Sequence, residues 1–341
     1  MVNIRFGIIG TGKIADFTAR AINQADSASL SSVASRRHTR AKEFACEHGI
    51  PNVYPDWRSL VEAEDSDAIY VASPTTSREE ICFAALANHK HLLCEKSFLN
   101  TASVDKIAAK AQSEGLAFMD ATHFTHHPRT AKIIQQQKNY LGQVNRVHSA
   151  FFVSMMDRNN IRFDSHKEPT GAIGDIGWYN MRAIVEYMRP TGAIKTVSGA
   201  IKRDSETGTI LSGAGLIEFA SGQTSTFEFG YDSGVWQMDL DILGESGLIQ
   251  LDDFVLDWRD SAAFYNPEYT PEFVVRRGQA SPDKFEHQQV PIEQSQAVQM
   301  IENFCCLTGP DNQVDRIQAI ERARATQSLI DQYCQAVGVA V

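Results

Sequence analysis

Hydrophobic and polar positions divide the chain into two regimes. In the first, short apolar runs alternate with stretches whose apolar residues recur at helical spacing. Ile4–Ile9 is such a run, and Ile14, Phe17 and Ala21 behind it share one helical face. Residues 29–35, 67–72, 91–94 and 116–119 repeat the strand pattern. Residues 39–48, 79–88 and 101–114 repeat the helical one, and Asp56 is positioned to cap a short helix carrying Trp57, Leu60 and Val61. Gly49 followed by Pro51 ends one helix, and Gly115 ends another. This alternation predicts a parallel, doubly wound sheet whose ligand lies at the carboxyl ends of its strands. The segments ending at Gly10, Ser35, Ser73 and Lys96 are then expected to meet around one cofactor.

The pattern changes near residue 123. Residues 128–140 read as a helix ended by Leu141-Gly142. Strands dominate afterwards, at 144–153, 194–202, 215–220, 223–229, 238–243 and 248–251, with Ser221-Gly222 and Glu245-Ser246-Gly247 as turns. A helix at 176–188 interrupts them, and helices at 292–307 and 314–336 close the pattern. Residues 261–290 show little periodicity and read as a long loop. The expected fold class is α/β: a dinucleotide-binding domain over residues 1–122, then an α+β domain with an antiparallel meander over residues 123–341.

Composition narrows the function classes. At 341 residues the chain has length for two domains, and its 43% hydrophobic and 22% charged residues are those of a soluble globular protein. The 32 basic and 42 acidic residues leave a net charge of -10, which argues against nucleic-acid partners and against an anionic membrane surface. No apolar run approaches a membrane span, and no charged-then-apolar signal segment opens the sequence. The six cysteines show neither CxxC spacing nor a disulfide framework, so free thiols in a cytoplasmic enzyme are expected.

Candidate chemistry begins where the first strand turns into the first helix, at Gly10-Thr11-Gly12-Lys13-Ile14-Ala15. Gly10 permits a tight turn, Gly12 lets a pyrophosphate approach the backbone, and Ala15 lets helix pack on strand. The helix N-terminus then offers free N–H groups and partial positive charge. An NAD-preferring site of this kind carries a carboxylate roughly 20 positions further on. Here Ser35-Arg36-Arg37 stands there, with Arg40 one turn on. A hydroxyl and forked guanidinium donors suit a 2′-phosphate, so NADP(H) is expected over NAD(H), the alternative. Ser73, Pro74 and Thr75 break a strand on the same side, and Glu95-Lys96 closes the next one. A lysine there can reach the nicotinamide ribose and stabilise an alkoxide.

Gly10 to Ala15, Cys94-Glu95-Lys96 and Gly171-Ala172-Ile173-Gly174-Asp175-Ile176-Gly177-Trp178-Tyr179 together resemble the three ordered motifs of the Gfo/Idh/MocA oxidoreductases. The likeness extends to Leu243-Gly244-Glu245-Ser246-Gly247, and the chain resembles the glucose-fructose oxidoreductase and dihydrodiol dehydrogenase branch in carrying tyrosine at residue 179. It implies an N-terminal Rossmann domain and a C-terminal domain on an open, mostly antiparallel sheet, whose exposed face makes a homodimer or homotetramer. It also implies that Lys96 sits beside the nicotinamide, that Asp175 is the motif aspartate, and that Tyr179 stands where other members carry histidine. Asp175 and Tyr179, four apart on a helix, share one face. A phenol titrates near about pH 10, and an ammonium beside it favours the phenolate. Three positions depart from the family: Ser97 replaces a proline, Arg78 stands near a usual histidine, and Thr125 stands where dihydrodiol dehydrogenases carry arginine.

His123 and His127 have a spacing that can ligate metal on a helix, but Pro128 disfavours a helix there and no third ligand is near, so no metal is expected. His123, Arg162, Asp175, Trp178 and Tyr179 are the expected substrate contacts. The resulting expectation is an NADP(H)-dependent oxidoreductase acting on a sugar, polyol or diol, with Tyr179, Lys96 and Asp175 as its chemical residues. The alternatives are an NAD(P)-binding regulatory sensor without turnover, and an NAD-dependent glycoside-cleaving enzyme.

Overall fold

In the computed structural model, which describes residues 3–155 and 157–340, the first strand, β1 (Ile4–Ile9), is buried at every position except Arg5. Such burial on both faces is what helices on either side of a parallel sheet impose. The elements that follow are α1 (Lys13–Gln24), β2 (Ala28–Ala34), α2 (His38–His48), β3 (Asn52–Tyr54), α3 (Trp57–Glu62), β4 (Ala68–Val71), α4 (Thr75–Ala87), β5 (His91–Cys94), α5 (Thr101–Ser113) and β6 (Phe118–Asp120). All six strands are parallel, in the order β3-β2-β1-β4-β5-β6. The order reverses between β1 and β4, the position where open α/β sheets form a ligand crevice. Asp56 caps α3 through Ser59 N, as expected. Two expectations shift. The three-residue edge strand β3 was too short to show a pattern, and α4 starts directly after Pro74 instead of at residue 79.

By its contacts the chain divides into two units, residues 1–126 with 294–324 and residues 127–293 with 325–341. This differs from the expected division after residue 122. Helix α8 (Gln296–Leu307) and the start of α9 (Gln313–Ala336) belong to the first unit. The reason is burial: Val298, Ile301 and Phe304 of α8 join the core of Phe6, Ile8, Phe17 and Ile22, with the Phe6 and Phe304 rings 5.5 Å apart. Periodicity announces that a helix has an apolar face but not which core receives it.

The second unit is built on an eight-stranded sheet. Its elements are α6 (Pro128–Leu141), β7 (Val144–Ser154), α7 (Trp178–Ala183), β8 (Ile194–Arg203), β9 (Ile210–Phe219), β10 (Thr224–Gly230), β11 (Asp232–Gly244), β12 (Leu248–Leu251), β13 (Glu272–Arg276) and β14 (Glu286–Gln289). The order is β14-β13-β12-β11-β7-β10-β9-β8, antiparallel except for the central β7–β10 pair. Strands β13 and β14 fall within residues 261–290, which were expected to be loop; Phe273 and Val275 are the buried alternate positions that pattern reading passed over. π-helical turns, Ile173–Gly177 and Ile184–Met188, flank α7, so the expected helix at 176–188 begins earlier. From α9, Tyr333 lies over Gly199, Gly213 and Gly215, where any Cβ would meet its ring or hydroxyl at 2.5–2.8 Å. Its hydroxyl donates to Ala200 O and Ala214 O. Among the described residues no helix is long and apolar enough to cross a membrane.

Candidate active site

In the first unit the strand ends lie in register. Ile9 pairs with Ala34 on one side and Val71 on the other, Val71 pairs with Cys94, and Cys94 with Asp120. The segments ending at Gly10, Ser35, Ser73 and Lys96 therefore meet along one edge, as expected. Gly10 has φ 113°, and a Cβ on it would stand 2.7 Å from Ala72 O, so the fold itself requires glycine there. Gly12 is different. Its φ is -85°, and a Cβ on it would meet nothing within 4 Å. Neither torsion nor packing asks for glycine at 12, and no side chain caps α1 above it. An open backbone approach with free N–H groups at a helix N-terminus fits a dinucleotide pyrophosphate. Ala15 is fully buried behind it; Lys13 is exposed and Ile14 half-buried.

Thr11 Oγ1 donates to Ser35 Oγ at 3.1 Å, tying the glycine turn to the end of β2. Arg36 and Arg37 are exposed, and neither side chain has a hydrogen bond or ion pair among the described residues. Arg40 is instead paired with Glu43 at 2.9 Å. Asp16, Glu47 and His48 bring ligand atoms close together nearby, with His48 Nε2 3.0 Å from Asp16 Oδ1, and Arg20 pairs with the same aspartate.

Glu95 and Lys96 are both buried, at 5% and 9% exposure. Glu95 accepts a 2.7 Å hydrogen bond from Tyr70, whose oxygen accepts from Thr18 at 3.0 Å. Burial, and then the Glu95 carboxylate, push the Tyr70 phenol well above its ordinary range. It remains a neutral donor that fixes Glu95. The sequence carried a signal for this: Tyr70 is the one polar side chain in the buried β4 run Ala68–Val71, and a buried tyrosine hydroxyl needs a partner. Ser73 and Thr75 serve the loop beside Lys96 through Arg78, whose Nε donates to Ser73 O and whose Nη1 donates to Thr75 Oγ1, both at 2.9 Å. Nη1 also donates to Ser97 O. Pro74 caps α4 without a side-chain bond.

His123 lies in a 3₁₀ turn, His123–His126, buried with its ring edge-on to Phe17 and its Nδ1 3.0 Å from Gln296 Nε2. His127 has other work, accepting from Arg129 N to cap α6 and lying 3.4 Å from Asp257 Oδ2. The two rings thus have separate partners.

In the second unit, Asn180 docks α7 on the sheet by donating to Ser149 Oγ at 2.9 Å and to the carbonyls of Ser149 and Glu228. That anchor sets the neighbouring Tyr179, whose ring packs edge-on against Phe151 with centroids 5.5 Å apart. Trp178 is wholly buried. Every position of α7 is buried, Trp178 and Tyr179 alike. Asp175 is gripped by Arg162, whose Nε donates to Oδ2 and whose Nη2 donates to Oδ1 at 3.2 Å. Tyr231 adds a 2.9 Å bond to Oδ2. The carboxylate raises Arg162 further above its ordinary value, while burial and then Asp175 raise Tyr231. The sequence offered both Arg162 and Asp175 as substrate contacts but did not pair them. It missed Tyr231, which lies 56 positions from Asp175 with no motif around it.

Comparison with known proteins agrees with this architecture. Residues 4–122 match the family profile described as "Oxidoreductase family, NAD-binding Rossmann fold", and residues 130–250 match the "GFO/IDH/MocA C-terminal domain". The chain is 30% identical to D-xylose 1-dehydrogenase (NADP(+)) 2 of Haloferax volcanii over 67% of its own length and 70% of that protein. It is 27% identical to a dTDP-3,4-didehydro-2,6-dideoxy-alpha-D-glucose 3-reductase of Streptomyces antibioticus, over 73% and 75% of the two chains. The fold also superposes on a 3-ketoreductase from Actinomadura kijaniata, solved with NADP and TDP-benzene, at TM-score 0.84 and 23% identity over 98% of each chain. With a reversed parallel sheet carrying the glycine turn, an α+β second unit and matches spanning both, the chain belongs to the Gfo/Idh/MocA family of oxidoreductases, and its N-terminal part is an NAD-binding Rossmann fold.

Proposed function

We propose that the protein is an NADP(H)-dependent oxidoreductase that interconverts a hydroxyl and a carbonyl on a sugar, polyol or diol, with Lys96 and Tyr179 as its acid–base groups. The observation that carries this reading is the single edge on which Gly12, Ser35, the Ser73–Thr75 turn and Lys96 line up. Gly12 and the N-terminus of α1 would hold the pyrophosphate, and Arg36, Arg37 and Ser35 the 2′-phosphate. The exposed, unpaired guanidinium groups and the absence of a carboxylate from residues 35–37 support NADP(H) over NAD(H), as do the NADP-named relatives. A bound nicotinamide would supply or accept the hydride. Tyr179 would take the hydroxyl proton in oxidation and return it in reduction, and Lys96 would assist the proton transfer. Arg162 and Tyr231 hold Asp175 fixed, so Asp175 serves as a rigid acceptor for a substrate hydroxyl. Leu216, Val235 and Trp236, exposed on β9 and β11, support assembly of copies through this sheet.

The test is a nicotinamide absorbance assay with both cofactors against a panel including D-xylose, inositols and vicinal diols. NADP(H)-linked turnover is expected, abolished by Lys96→Met with NADPH binding retained. A protein that binds NADPH but turns over nothing in the panel, or a Lys96→Met variant with full turnover, overturns the reading.

A further inference from the structure

Lys96 lies in a short connection between β5 and α5, and its aim depends on what holds that connection. At its start, Glu95 N donates to Val71 O at 2.9 Å, the last bond of the strand ladder. At its end, Asn100 caps α5 through Ser103 N at 3.0 Å. Between these lies Ser97. A serine leaves φ free, where a proline would set it near about -65°. Ser97 enters the described hydrogen bonds only through its carbonyl, and that carbonyl is held by Arg78.

Arg78 is unusual for a buried arginine. It is 7% exposed, and among the described residues no carboxylate forms an ion pair with it. Its forked donors reach three neutral oxygens instead, on the turn after β4, on the first residue of α4 and on the loop after β5. Three divergent acceptors within one planar fork define the position of each other. A lysine, with a point charge on a flexible stem, cannot reproduce that geometry.

We propose that Arg78 is the positioning residue of Lys96: it locks the Ser97 carbonyl to the Ser73–Thr75 turn and supplies through space the stiffness that serine does not supply through its own ring. This rests on Lys96 being the acid–base lysine proposed above. Misplacing such a group by about 1 Å can cost on the order of 100-fold in rate.

The experiment is a double-mutant cycle of Arg78→Met and Ser97→Pro, both made in the full chain. A proline in place of Ser97 presets φ and removes an N–H that donates no described bond. Two readouts are taken with NADPH present. One is the rate of Lys96 reductive methylation by formaldehyde and dimethylamine–borane, followed by peptide mass spectrometry. The other is kcat and KM on whichever panel substrate the wild type turns over. Arg78→Met is expected to change the Lys96 labelling rate at least about threefold and to lower kcat about 10-fold or more, with the NADPH KM within about twofold. Ser97→Pro in that background restores most of both, and alone changes little. Equal Arg78→Met effects with and without the Ser97→Pro substitution, or unchanged Lys96 labelling, overturn the proposal. If Arg78→Met does not fold, Arg78→Lys, which keeps the charge but not the fork, is read in the same way. Should the wild type turn over nothing, or Lys96→Met stay active, the functional reading fails while the labelling cycle still decides the role of Arg78.

Discussion

Two single-carbon insertions, Gly10→Ala and Gly12→Ala, separate folding from cofactor binding. At Gly10 the backbone has φ 113°, and the new Cβ would lie 2.7 Å from Ala72 O and 3.0 Å from Ala72 C. The torsion costs about 1–3 kcal/mol for an L-residue, and the overlap with backbone about 1–3 kcal/mol more. A loss of about 2–6 kcal/mol lowers the Tm of a unit this size by roughly 5–20 °C. At Gly12 the torsion is ordinary and the Cβ meets nothing within 4 Å. A poorer N-cap costs up to about 1 kcal/mol, and the loss of unfolded-state freedom offsets about 0.4–1 kcal/mol of that. Stability should therefore hardly change. In the proposed site, however, the methyl would stand where the pyrophosphate approaches, and NADPH should bind at least about 10-fold more weakly, or about 1.4 kcal/mol. Scanning calorimetry and a fluorescence titration with NADPH measure the two effects on the same samples. Wild-type NADPH affinity in Gly12→Ala would show that the cofactor does not lie against residue 12. A Gly12→Ala Tm loss as large as that of Gly10→Ala would show that the space is not open.

Three further outcomes follow from the same geometry. Replacing Arg36 and Arg37 together by Ala should weaken NADPH about 10–100-fold while leaving NADH unchanged, as loss of charge-assisted bonds to one phosphate requires; equal losses for both cofactors in calorimetric titration would contradict it. Burial, then the nearby Arg316, push His91 down to about 4, and its Nδ1 accepts from Ala117 N at 3.0 Å. Its unfolded ring titrates near about 6.5, so between these values only the unfolded chain takes up the proton. The stabilisation is complete above about pH 6.5 and falls by up to about 3 kcal/mol as pH drops towards 4, while His91→Gln flattens that slope in denaturant titrations; identical slopes would refute it. Asp175→Asn leaves Arg162 without its counter-charge and should cost about 1–3 kcal/mol in thermal unfolding, together with a fall in kcat; an unchanged Tm would mean the pair contributes nothing.

The legible parts of this molecule were the local ones. The glycine turn, the strands ending at Gly10 and Cys94, and the Asp56 cap depend on residues a few positions apart, so composition and spacing announce them. Strand alternation implied a row of carboxyl ends, and the register of β1, β2, β4 and β5 bears that out. The unread parts were long-range. β3 and β14 are edge strands of three and four residues, too short for a period to declare itself. Spacing also could not show that every position of α7, Trp178 and Tyr179 included, is buried.

The sequence alone determined the class of the longer elements, the glycine turn between β1 and α1 and the residue types offered for chemistry, because those follow from torsional preference, periodicity and functional groups within one segment. Only the tertiary structure decided which side chains act together. Arg78 meets Ser97 across 19 positions, Tyr70 meets Glu95 across 25, and Tyr231 meets Asp175 across 56. Such pairs are set by how helices and strands pack, and a polar group's need for a buried partner constrains that packing without naming the partner in advance. The difference between Gly10 and Gly12 is of the same kind. Both are glycines in one turn, and only the position of Ala72 reveals that the fold requires the first and leaves open space at the second.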